Sequence, residues 1–141
     1  MAYVEVNKNS IAKNSRKIVE LAKSNGVEVA GVTKVVCGDP EVAVSLVENG
    51  ITEIGESRLE NVARMKGAGI NPSFILLRLP EKSRFPQVVE LVDSVLIGDL
   101  ENLSRLKEIS SETEKKLKFI YMVDTGDLRE GVMFYEAQEV L

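Results

Sequence analysis

Five short apolar runs recur along this chain at nearly constant intervals, and that recurrence limits its fold more than any other feature. The runs occupy residues 27–34, 51–55, 73–78, 94–98 and 117–124, so their starts fall every 21 to 24 residues. They are short, mostly β-branched or aromatic, and largely apolar, as expected of strands buried in a parallel sheet.

The segments between them read as helices. Asn9 or Ser10 caps a first helix with Ile11, Ile18, Leu21 and Ala22 on its apolar face, and Asn25-Gly26 ends it. Asp39-Pro40 is a cap followed by proline at the first helical position; Val42, Ala43, Leu46 and Val47 follow, and Gly50 stops the helix. Ser57-Arg58-Leu59-Glu60 has capping-box spacing and opens a third helix to about Lys66. Residues 85–92 form a fourth. Asp99 caps a fifth that buries Leu100, Leu103, Leu106 and Ile109, and another begins near Phe134. With an opening β segment at residues 3–6, the chain reads β, α, then βα repeated.

Such alternation predicts a parallel sheet with right-handed crossovers. A leucine-rich repeat has a similar period, but its L-x-x-L-x-L-x-x-N pattern is absent. A doubly wound sheet and part of a (β/α)8 barrel remain. A whole barrel needs about 200–250 residues, and this chain supplies roughly five βα units. Residues 1–141 therefore read as one α/β domain, an incomplete (β/α)8 TIM-type barrel if the barrel alternative holds.

Composition narrows the chemistry. Eighteen Lys and Arg against 22 Asp and Glu leave a formal charge of −4, which does not favour nucleic acid. The chain has no histidine, which excludes Ser-His-Asp and Cys-His catalysis and His-ligated metal within it. Its one cysteine, Cys37, allows neither an internal disulfide nor a Cys cluster and fits a reducing cytoplasm. No apolar run approaches the roughly 18–20 residues that cross a bilayer, and the N-terminus lacks a basic stretch followed by an apolar one. The expectation is a cytoplasmic protein without metal, membrane or nucleic-acid partner.

In either parallel architecture the strand C-termini share one edge, and ligands bind there. That edge carries Lys34, residues 55–58, Arg78, Gly98-Asp99 and residues 124–129. Lys34 on a rigid strand, desolvated by Val32, Val35 and Val36, has the character of a Schiff-base amine; the bland alternative is a snorkelling surface lysine. Arg78, another cation at a strand end, needs solvent, a partner or a role. In Asp124-Thr125-Gly126-Asp127-Leu128-Arg129-Glu130-Gly131 the glycines permit a tight turn, and Arg129 offers a rigid donor fork to a phenolate, carboxylate or phosphate, or else pairs with a neighbouring acid. Gly38 permits close backbone approach to a ligand, or serves only the cap at Asp39. Glu56, Ser57 and Arg58 are placed to orient a polar ligand, although a cap alone explains Ser57.

Val32-Thr33-Lys34 and the 124–131 segment together resemble the N-terminal barrel domain of the fold-type III pyridoxal-phosphate enzymes, the alanine racemase group. In that family a lysine ends the first barrel strand and holds the cofactor as a Schiff base, and D-T-G-M-x-R-x-G follows the fifth strand. This sequence reads D-T-G-D-L-R-E-G. V-T-K-V-V-C-G-D-P, E-S-R-L-E-N and D-L-R-E-G are similar to the alanine/ornithine racemase-like branch.

The resemblance implies a PLP-dependent amino-acid racemase in which Lys34 abstracts the Cα proton and Arg129 contacts the cofactor's phenolic oxygen. Arg78 is a second-tier contact. Gly38 stands where alanine racemases place a phosphate-binding tyrosine. The substrate is an amino acid, ornithine or another basic one; the assembly is a homodimer; the 141-residue chain alone is inactive. Two alternatives stand beside it: a non-catalytic PLP-binding homeostasis protein, and a self-pairing half-barrel without activity.

Overall fold

A computed structural model describes residues 3–135 and Ala137. Helix α1 spans Lys8–Lys23, and strand β1 (Ala30–Val32) follows. The units α2 (Pro40–Val47) and β2 (Glu53–Glu56), α3 (Leu59–Gly67) and β3 (Ser73–Leu76), α4 (Phe85–Leu91) and β4 (Ser94–Ile97), and α5 (Leu100–Ser111) and β5 (Lys118–Tyr121) repeat the pattern. All neighbouring pairs in this sheet are parallel, and the spatial order β1-β2-β3-β4-β5 is the order in sequence.

That order separates the two architectures. A doubly wound sheet reverses direction at a switch point and carries helices on both faces. Here no reversal occurs. Ile54, Phe74, Leu76, Val95 and Ile97, from three adjacent strands, join Ala43, Val62, Met65, Val88, Val89 and Leu106 from α2 to α5 in one buried cluster. The helices thus line one side of the sheet. Alternate residues, Val32, Gly55, Ile75, Leu96 and Ile120, face the other side, the interior of an incomplete barrel.

The caps show why the helices start where they do. Asp39 Oδ1 accepts from the Glu41 and Val42 N–H groups at 2.9 and 3.1 Å, with Pro40 opening α2. Asp99 Oδ1 accepts from Asn102 N–H at 2.8 Å. Both match the sequence reading. Helix α1 is instead capped by Asn7, whose Oδ1 accepts from Ser10 N–H at 2.9 Å; Asn9 and Ser10 lie within its first turn. Its inward face is Ile11 and Ala12, then Ser15, Val19 and Ala22 at steps of three or four residues, because α1 packs beside α2. Ile18 and Leu21, expected inside, are 54% and 66% exposed. Leu100, also expected inside, is exposed at the first position of α5.

The strands are shorter than the apolar runs. β1 keeps only three residues because it is an edge strand with one partner, and the chain turns at Thr33. The opening residues 3–6 pair with no strand and are exposed. The run at 117–124 breaks at Met122. Beyond it, β6 (Val123–Asp124), which the sequence reading takes as the end of the fifth strand, pairs in parallel with β7 (Val132–Met133), which that reading leaves unassigned. The helix expected from about Phe134 falls largely outside the described residues.

Candidate active site

The C-terminal edge of the sheet is built from five strand ends. Over β1, Lys34 begins a tight 3-10 turn, Lys34–Val36, and its side chain is exposed. It follows the strand rather than sitting on it. The shielding expected from its neighbours is not formed: Val35 is 85% exposed and Val32 is exposed as well. The turn closes through Cys37, whose φ of 54° is left-handed, and Gly38, with φ 62°. A non-glycine residue in that region is strained, and such residues concentrate at functional loops. Arg64 Nη1 donates to the Cys37 carbonyl at 2.6 Å and ties the turn to α3. Gly38 is buried; a Cβ there would lie 2.6 Å from Asn61 Cβ, so the close approach permitted by this glycine is to α3.

Beneath the turn, Glu56 at the end of β2 is fully buried. Its Oε2 accepts from Thr33 Oγ1 at 3.1 Å and its Oε1 from Ser57 N–H at 2.7 Å. Glu56 shares the parity of Ile54 and faces the helix layer, so it does not orient a ligand on the outer edge. Ser57 does not cap α3. The cap residue is Arg58, without a side-chain bond, while Glu60 pairs with Arg84 at 2.7 Å. The expected capping box fails because Glu56 engages Ser57 first.

Arg78 lies two residues past β3, exposed, with Nη2 3.6 Å from Glu130 Oε1. This pair bridges the loop after β3 and the loop between β6 and β7 beside a cleft of about 290 Å³ whose lining includes Arg78, Leu96, Gly98, Met122, Glu130 and Gly131. In the 124–131 loop, buried Asp124 accepts through Oδ1 from Gly126 N–H at 2.7 Å and Leu128 N–H at 3.2 Å. Gly126 makes the turn, and Leu128 is the second left-handed non-glycine residue, with φ 54°. Gly131, φ 112°, provides the close approach: a Cβ would sit 2.7 Å from the Met122 carbonyl oxygen. Arg129 is exposed at the crest and makes no ion pair among the described residues. The structure thus joins Arg78 to the Arg129 loop, with Lys34 and Gly38 at the β1 end of the same edge.

The backbone N–H groups on Asp124, Gly126 foremost, hold its carboxyl below the ordinary carboxylate range against the opposing effect of burial. A lowered folded-state pKa contributes stability above the unfolded value, and that contribution is lost as pH falls through the folded one. We expect wild-type protein to lose thermal stability more steeply than Asp124→Asn as pH falls below about 4. Parallel melting-temperature profiles would contradict this.

With the geometry in place, similarity to known proteins decides the family. The family model for the alanine racemase N-terminal domain matches residues 6–141. The chain belongs to that family. It is 46% identical over 134 residues to the lysine racemase of Thermotoga maritima, covering 95% of this chain and 38% of that protein. It is 27% identical over 137 residues to the ornithine racemase of Acetoanaerobium sticklandii, again covering 38% of the relative. The chain therefore spans well under half the length of the relatives it matches. Among solved structures, an alanine racemase from Clostridium difficile superposes with a TM-score of 0.79 at 19% identity, over 95% of this chain and 35% of that one. At that identity the superposition speaks for the fold, and it agrees with the incomplete barrel. Among the described residues no helix is long and apolar enough to cross a membrane, and no cluster of His, Cys, Asp and Glu could hold a metal ion.

Proposed function

We propose that this chain is the N-terminal barrel portion of a PLP-dependent amino-acid racemase, with Lys34 as its reactive amine. The observation that carries the reading is the placement of Lys34: an exposed primary amine on a braced turn at the C-terminal end of β1. On the same edge stand two guanidinium groups, Arg78 and Arg129. A primary amine with two permanent cations suits a ligand bearing an aldehyde and anionic oxygens. Bound there, pyridoxal phosphate would supply an aldehyde for the amine and a ring that takes up charge from the substrate Cα.

Lys34 Nζ would hold the group through its aldehyde carbon, with loss of water; once the amine of the amino acid takes its place there, the freed Nζ would be the base that takes the Cα proton on one face. Arg129 would direct its fork at the phenolic oxygen and Arg78 would give a further contact. Gly38 keeps the turn beside Lys34 free of a side chain. The acid on the opposite face comes from outside these residues, from the rest of the barrel protein or from a second copy in a homodimer. The relatives named for lysine and ornithine favour a basic amino acid as substrate. Full-length protein supplied with PLP should interconvert the L and D forms of lysine or ornithine faster than those of alanine. Tight retention of PLP without racemisation of any amino acid would favour the non-catalytic alternative.

A further inference from the structure

We infer that Glu56 is a positioning residue for Lys34, acting through Thr33; this rests on the reading of Lys34 as the reactive amine. Glu56 is a carboxylate with no solvent exposure and, among the described residues, no ion-pair partner. Burying such a group is costly unless hydrogen bonds satisfy it, and an apolar side chain fills the same space at lower cost. Its bonds join adjacent strand ends: it accepts from Ser57 N–H and, at 3.4 Å, Ser57 Oγ on its own strand's exit, and from the Thr33 hydroxyl one residue before Lys34.

Thr33 is thereby held at four points. Its N–H donates to the Gly55 carbonyl at 3.1 Å, and its own carbonyl accepts from Val36 N–H and Gly38 N–H, each at 3.1 Å. Its hydroxyl donates to Glu56 at 3.1 Å, with Met65 Sδ as a weaker second acceptor at 4.0 Å. Any residue but proline at position 33 makes the three main-chain bonds. The fourth requires a hydroxyl there and an acceptor at position 56. That bond fixes the direction in which the chain leaves β1, and so where the Lys34 side chain starts, the kind of support a reactive group needs to be held in place.

The test is made on full-length protein with Thr33→Val, which removes the hydroxyl at nearly constant shape, and Thr33→Ser, which restores it. Two quantities are read: amide hydrogen exchange at Val36 and Gly38, and the rate of borohydride-trapped pyridoxyl incorporation at Lys34. The Val variant should exchange about tenfold faster at both amides and label about tenfold more slowly, and the Ser variant should recover both, as expected for loss of one buried hydrogen bond. If Thr33→Val does not fold, Glu56→Asp, which retracts the carboxylate by one methylene, should show the same two effects. A lowered melting temperature with exchange and labelling within twofold of wild type would overturn the inference and leave a purely structural role. Wild-type protein without label on Lys34 would overturn the underlying reading instead, while exchange at Val36 and Gly38 would still decide whether the bond braces the turn.

Discussion

Replacing Lys34 by alanine should lower the proposed amino-acid racemisation by the full-length protein by about a thousandfold or more, because the group proposed as both nucleophile and base is removed. The fold should hardly notice. Lys34 is exposed and makes no ion pair among the described residues, and surface substitutions of that kind change stability by about 0.5 kcal/mol or less. Lys34→Arg keeps a positive charge but loses an amine that can be deprotonated, so it should be equally inactive. Activity retained to within tenfold in either variant would remove Lys34 from the reaction.

The second large effect is expected at Gly38. Its φ of 62° alone disfavours a side chain, at about 1–2 kcal/mol for an L residue in the left-handed region. The added methyl would also lie 2.6 Å from Asn61 Cβ and 3.2 Å from Asn61 Cα. Neither atom can swing away, since both are fixed to the α3 backbone. The turn must move off the helix, or the helix off the sheet, and such overpacking costs about 1–3 kcal/mol more. Gly38→Ala should therefore destabilise by about 2–5 kcal/mol in denaturant unfolding and displace Lys34 with the turn. Asn61→Ala should not rescue it, because the obstructing Cβ remains, whereas Asn61→Gly should recover part of the loss. A melting temperature within a degree of wild type would mean that the turn and α3 are further apart than described.

The fold was legible in the chain to the extent that it rests on period and punctuation. Regular spacing of apolar runs gave the five parallel strands, and Asp39-Pro40 and Asp99 gave two helix starts, because those signals act over a few residues. What escaped depends on neighbours distant in sequence. Ser57-Arg58-Leu59-Glu60 has the spacing of a capping box, yet Glu56 and Arg84 draw Ser57 and Glu60 into other bonds. Ile18 and Leu21 satisfy a helical apolar period but lie off the face that meets α2. The β6–β7 pair is two residues long on each side, too short for alternation to register.

The placement of Lys34, Arg78 and Arg129 at strand exits was readable because each follows a recognisable strand. The shielding expected around Lys34 was not, since Val32 and Val35 belong to an edge whose cover depends on tertiary neighbours rather than local sequence. Glu56 carried a usable signal: it alternates in step with Ile54, which places a carboxylate in the helix layer and calls for a partner there.

The most direct test of the central claim is to incubate full-length protein with pyridoxal phosphate, reduce with borohydride and map the peptides by mass. A pyridoxyl group on the peptide containing Lys34, and its absence in Lys34→Ala, is the predicted result. Reduction that leaves Lys34 unlabelled, or that labels other lysines to the same extent, would contradict it.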